Sequence, residues 1–152
     1  MSASESGPRL VLTDAATPQD ESVIRDGLGD YNFSKAGYRD YRPLAVLVTD
    51  PANGEVVGGL YGSTSMGLLR VDRFFLPEDL RKQGLGTRII KEAEAEGARR
   101  GCSRAILSTL SFQAPGFYQR QGWEVLGRVD CDPPGHTRFM ICLLYTSPSP
   151  RD

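Results

Sequence analysis

Metal ligands and membrane-spanning runs are scarce in this chain. Its 152 residues include one histidine, His136, and three cysteines, Cys102, Cys131 and Cys142, with no Cys-x-x-Cys spacing. No zinc set is expected from these residues, and the thiols are expected to be reduced. No apolar run approaches the length of a membrane span, and the N-terminus lacks a charged segment followed by an apolar core. The expectation is a cytoplasmic protein with no membrane partner and no metal. A charge excess is missing as well: 18 Lys and Arg stand against 19 Asp and Glu, a net charge of −1. That balance gives no support for a nucleic-acid partner. One domain suffices for this length, large enough to bury roughly two-thirds of its unfolded surface.

The charge that is present is unevenly spread. Residues 1–69 carry 5 basic and 9 acidic side chains, whereas residues 70–104 carry 9 basic and 6 acidic. Inside the basic stretch lies Arg81-Lys82-Gln83-Gly84-Leu85-Gly86, between the strand-like run Leu68 to Leu76 and a helix-like run from Leu85 to Arg100. A helix start exposes unpaired N–H groups and the positive end of the macrodipole, and glycines let phosphate oxygens approach that backbone. The turn therefore suits a pyrophosphate. A P-loop is excluded because no Gly-Lys-Ser/Thr ending is present, and a dinucleotide fingerprint because Ile89 occupies the place of its third glycine.

Around this turn the patterns alternate between strand and helix. Residues 1–8 read as a loose tail and Arg9–Thr13 as a short strand, followed by a helix with Thr17 as N-cap and Pro18 in its first turn, running toward Leu28. Gly29 to Arg42 reads as a loop or short second helix. Leu44–Thr49 and Val56–Tyr61 form a hairpin around Asn53-Gly54, and Leu68–Leu76 is a third antiparallel strand. Leu85, Ile89, Ile90 and Ala93 line one face of the long helix, which Gly101 ends. Arg104–Thr109 reads as a buried strand, Gln113–Gln121 as a brief helix, and Trp123–Val129 and Thr137–Ile141 as the last strands. The expected architecture is α/β (α+β), a mixed and mostly antiparallel sheet of about seven strands with helices on both faces.

Arg81-x-x-Gly84-x-Gly86 resembles the coenzyme A pyrophosphate motif of the GNAT superfamily of N-acetyltransferases, usually Gln/Arg-x-x-Gly-x-Gly/Ala. A second block, Ser111-Phe-Gln-Ala114-Pro-Gly-Phe-Tyr118-Gln-Arg-Gln-Gly122-Trp123, resembles the family's Asn-x-x-Ala-x-x-x-Tyr followed by Gly-Phe, with Ser111 in place of the Asn and Trp123 in place of the Phe. The resemblance covers residues 9–141, expected to be a single N-acetyltransferase domain, and is nearest a bacterial subgroup of unassigned substrate. It implies acetyl-CoA as acyl donor. Backbone groups around Phe75 and Leu76 would pair with the pantetheine arm. The pyrophosphate would meet the Arg81 side chain and the N–H groups of Lys82, Gln83, Gly84, Leu85, Gly86 and Thr87, with Ser111 and Ala114 also beside the cofactor.

Acyl transfer from a thioester to an amine requires a fixed thioester, a neutral amine and a proton for the departing thiolate. By the resemblance Tyr118 is the acid for that thiolate; a core tyrosine that merely hydrogen-bonds the cofactor is the alternative. An alkylamine is mostly protonated at neutral pH, a deficit of about 4–5 kcal/mol, so some route must remove its proton. Asp72 and His136 are the candidate bases, an imidazole being suited to this pH range, and deprotonation through water is the third route; the family's strand glutamate is absent. The acceptor would be a small-molecule or peptide amine, with Tyr31, Phe33, Tyr38 and Tyr41 as candidate walls. A non-catalytic acyl-CoA-binding module is the rival function, and either a monomer or a homodimer fits. Residues 142–152 resemble one translated reading frame of a transposase-type sequencing adapter and are expected to be foreign to the natural gene.

Overall fold

The computed structural model describes residues 6–113 and 115–145, and the chain divides into two units, Met1–Arg39 and Asp40–Asp152. The first is dominated by helix α1, Pro18–Ala36. Its start is the expected one. The Thr17 hydroxyl accepts from the Asp20 N–H at 3.0 Å, and the Asp20 carboxylate accepts from the Thr17 N–H at 2.9 Å, forming a capping box. These bonds, the backbone one foremost, hold the Asp20 carboxyl below its usual range.

Two expectations for this unit are corrected. Helix α1 does not stop near Leu28 but continues to Ala36, where Gly37 (φ 85°) turns left-handed and donates to the Phe33 carbonyl at 2.9 Å. Gly27 and Gly29 cost about 1 kcal/mol each inside a helix, yet neither meets a stop signal there. Arg9–Thr13 forms no strand. Leu10 and Leu12 are fully exposed, and an isolated β-rich segment has no ladder in which to place its backbone bonds. The tail expected at residues 1–8 falls mostly outside the described residues.

The second unit is built on one sheet of six strands, not seven, in the order β1-β2-β3-β4-β6-β5. These are β1 Arg42–Thr49, β2 Val56–Ser65, β3 Leu68–Phe75, β4 Arg104–Leu110, β5 Glu124–Cys131 and β6 His136–Leu144. Only β3 and β4 run parallel. The β1–β2 turn closes as its Asn-Gly pair predicts: Gly54 (φ 75°) donates to the Asp50 carbonyl at 2.7 Å. Strand β6 runs past the expected Ile141 because β4 offers partners along its full length, from Arg104↔Leu144 to Leu110↔Arg138. Of the adapter-like segment, Cys142–Leu144 thus complete β6 and Tyr145 packs on the core. Residues 146–152 lie outside the described residues.

Helix α2, Leu85–Arg99, buries Ile89, Ile90 and Ala93 of the predicted stripe, and Gly97 besides, with Leu44, Leu60, Leu69 and Val71 of the first three strands, while Leu85 is only partly buried against that core. Each such aliphatic side chain contributes about 1.5–3 kcal/mol by leaving water. The short helix α3, Pro115–Arg120, adds Tyr118 to the same core. Arg100 locks the far end of α2. Its Nε donates to Glu96 at 2.8 Å, and its Nη1 reaches the Pro43 carbonyl at 3.0 Å and the Thr64 hydroxyl at 3.2 Å. No helix among the described residues is long and apolar enough to cross a membrane.

Candidate active site

The parallel pairing of β3 with β4 is short. It covers Leu68↔Arg104, Leu69↔Ala105 and Arg70↔Ile106, whereas β3 continues to Phe75 and β4 to Leu110. Beyond Arg70 and Ile106 the facing edges have no ladder partner in each other, so the sheet opens there. The cause lies in β3. Its register with β2 jumps from Tyr61↔Arg73 to Gly62↔Val71, which leaves Asp72 as an extra residue in a bulge, and a bulge bends and over-twists its strand. Glycine at 62 permits the close approach, since a Cβ there would overlap the Arg70 carbonyl oxygen.

The opening leads to the predicted turn. After Leu76 and a 3₁₀ turn at Glu78–Leu80, the chain enters α2 through Lys82 (φ 64°) and Gly84 (φ 77°), both left-handed. A non-glycine residue in that conformation is strained by about 1 kcal/mol or more, and such strain gathers at functional sites. The turn is braced from within: Arg81 Nε donates to the Leu76 carbonyl at 2.9 Å and Gln83 Nε2 to the Asp79 carbonyl at 3.0 Å. With its Nε so held, Arg81 still has its terminal nitrogens to offer. In contrast to α1, helix α2 has no side-chain cap at Gly84 and no acidic residue in its first turn. Its first N–H groups and its dipole are open to an anion.

Gly86 sits where three elements converge. A Cβ there would lie 3.5 Å from the Phe117 ring and 3.7 Å from Leu76 Cδ1, ordinary contacts. The protein alone therefore does not require glycine at this position, whereas close approach of a ligand would. Phe74, on the splayed part of β3, meets Phe117 at 6.2 Å and Tyr118 at 6.4 Å between ring centroids, and Trp123 closes the cluster 5.8 Å from Tyr118. Tyr118 is 7 % exposed, and among the described residues its hydroxyl has no hydrogen-bond partner. Burial pushes its pKa up to about 12.

The shift makes stability depend on pH in the alkaline range. Between about pH 10 and 12 the folded protein keeps a phenolic proton that the unfolded chain gives up, so stability present below pH 10 falls as pH rises through that window, by up to roughly 3 kcal/mol. Tyr145 shifts in the same direction, through burial and then the Glu94 carboxylate. Denaturant titrations across that pH range should therefore show a steady loss of stability, shallower in Tyr118→Phe.

The remaining predicted residues lie on several elements. Ser111 anchors the end of β4, its hydroxyl accepting from the Thr137 N–H at 3.0 Å, and keeps its own proton for donation. Ala114 lies outside the described residues. His136, at the start of β6, packs edge-on against Phe112 at 5.1 Å beside a surface hollow that Asp130 and Asp132 also line. Asp72 faces Arg70, with 3.8 Å between Nε and Oδ1. Of the aromatic residues considered for the acceptor, Tyr31, Phe33, Tyr38 and Tyr41 are each about half exposed. Three contacts went unread in the sequence. Gln113 Oε1 accepts from the Leu110 N–H at 2.8 Å and finishes β4, Trp123 Nε1 donates to Glu94 at 3.2 Å, and Gln121 Nε2 donates to the Thr87 hydroxyl at 3.1 Å.

A profile of the acetyltransferase (GNAT) family matches residues 12–123. The chain belongs to the GNAT acetyltransferase family. As a member it is an acyltransferase with a mixed α/β fold. An acetyltransferase of Agrobacterium fabrum is 38 % identical over 118 residues, 78 % of this chain and 85 % of that protein. The blasticidin-S acetyltransferase of Streptomyces morookaense is 39 % identical over 103 residues, 66 % of this chain and 76 % of that one. Among solved structures, an acetyltransferase from Agrobacterium tumefaciens superposes with a TM-score of 0.80 at 32 % identity, covering 90 % of this chain and 99 % of its own.

Proposed function

We propose that this GNAT protein is an N-acetyltransferase that moves an acetyl group from acetyl-CoA to a primary amine by direct attack in a ternary complex. The observation that carries this reading is the opening between β3 and β4, which leads to an uncapped helix start on one side and, on the other, a buried phenol with no hydrogen-bond partner among the described residues. An extended pantetheine arm would fit between the strand edges, and its pyrophosphate would meet the open N–H groups of Leu85, Gly86 and Thr87. An aminoglycoside 6′-N-acetyltransferase of similar fold, TM-score 0.59, is described in complex with coenzyme A.

In the step itself, the amine nitrogen bonds to the acetyl carbonyl carbon, the carbon–sulfur bond breaks, and the proton lost by nitrogen is balanced by the one gained by sulfur. Tyr118 donates a hydrogen bond to the departing sulfur. A phenol near pKa 12 facing a thiol near 8.5 cannot give up its proton outright, because transfer is uphill by about 5 kcal/mol. The same burial that raises the phenol raises a buried thiol and narrows that gap. The phenol's proton would pass to sulfur only as the phenolic oxygen recovers the one that the amine nitrogen releases, relayed by Asp72, His136 or water, so that thiol and phenol both end protonated. Holding thioester and amine together contributes most, up to roughly 7–11 kcal/mol in the best intramolecular systems.

Isothermal titration with acetyl-CoA, followed by thiol release against a panel of small-molecule and peptide amines, tests the reading. Binding in the micromolar range with acceptor-dependent thiol release is expected; no binding at high micromolar concentration would sink it.

A further inference from the structure

We infer that Gln121 is a positioning residue for the cofactor's pyrophosphate, acting through the Thr87 hydroxyl. The inference rests on the acetyl-CoA reading above. Thr87 is the third residue of α2 and half-buried. A threonine inside a helix commonly turns its hydroxyl back to a carbonyl of the preceding turn. Here the only bond of Thr87 Oγ1 among the described residues is the one it accepts from Gln121 Nε2, at 3.1 Å from a residue 34 positions away.

A hydroxyl has one proton and two lone pairs. With a lone pair occupied by the Gln121 amide, the Thr87 proton is directed away from Gln121 and is free to serve an anion beside the uncapped N–H groups of the same turn. The backbone of Gln121 is itself fixed. The Gln121 N–H donates to the Tyr118 carbonyl at 2.9 Å immediately after α3, so one short helix sets both the buried phenol and the hydroxyl at the helix start. The direction of the bond matters. An acceptor in place of the amide would claim the Thr87 proton and leave its lone pairs toward the phosphate.

The test is acetyl-CoA affinity, by isothermal titration, of the full chain and of Gln121→Leu, Gln121→Glu, Thr87→Val and the Gln121→Leu/Thr87→Val pair. Gln121→Leu should weaken binding by about 3- to 10-fold. Gln121→Glu should weaken it further, by reversing the bond and adding negative charge. In the Thr87→Val background Gln121→Leu should add nothing, which two independent contributions to binding would not produce. The unliganded Tm of the single variants should stay near that of the parent, which a purely structural bond would not allow. If Gln121→Leu does not fold, Gln121→Met carries the same expectation. Wild-type affinity in Gln121→Leu, or losses that simply add in the paired variant, would overturn this inference while leaving the acetyl-CoA reading intact. A wild-type protein that does not bind acetyl-CoA overturns both.

Discussion

Tyr118→Phe is expected to lower acetyl transfer by roughly 10²- to 10⁴-fold, the usual range for a lost proton-transfer group, with little change in acetyl-CoA affinity. The substitution is clean because the ring stays. Phe keeps the edge contacts with Phe74, Phe117 and Trp123, and the hydroxyl has no hydrogen-bond partner among the described residues, so no buried group is orphaned. Thermal stability at neutral pH should be unchanged or slightly higher. Thiol release under single-turnover conditions, run beside a binding titration, separates the outcomes. Full turnover in the variant would make Tyr118 a core tyrosine and leave the chemistry to positioning alone.

Local signals carried the sequence reading, and long-range ones escaped it. The Thr17 cap, the Asn53-Gly54 turn and the α2 stripe each depend on residues a few positions apart, and the structure places all three as expected. Arg9–Thr13 has strand composition, but a strand exists only with a neighbour, and composition does not supply one. The end of α1 was hidden because Gly27 and Gly29 look like breaks, whereas the residue that stops the helix is Gly37. At the candidate site, the glycine turn into α2 was legible because its glycines and its helix are contiguous. The opening between β3 and β4 was not. It depends on a bulge at Asp72 that is defined only by pairing with β2. The Gln121–Thr87 and Trp123–Glu94 bonds span 34 and 29 residues, and nothing in the spacing of those residues announces their partners.

Trp123→Ala should be the most destabilising single change, costing about 3–5 kcal/mol and lowering Tm by roughly 10–15 °C. Trp123 is 2 % exposed and among the largest fully buried side chains. Its removal leaves a cavity beside Tyr118 and takes from Glu94 the indole N–H it accepts at 3.2 Å. Trp123→Phe separates the two contributions, since it restores most of the volume and none of the hydrogen bond. It should cost about 1–2 kcal/mol. Activity should fall in the alanine variant even where the protein remains folded, because the wall that orients the Tyr118 ring has gone. A Tm close to that of the parent would show that the cluster collapses around the gap.

The uncapped start of α2 has a consequence for the protein's lifetime as well as for its chemistry. Helix α1 completes its own first turn with Thr17 and Asp20, while α2 has no such side-chain cap. With acetyl-CoA as the donor, the missing piece of the fold is a metabolite, and mass action adds about 2.7 kcal/mol of stability when its concentration is 100 times Kd. A cell rich in acetyl-CoA would then hold a sturdier and longer-lived enzyme than a starved one, so that supply of the donor sets abundance as well as rate.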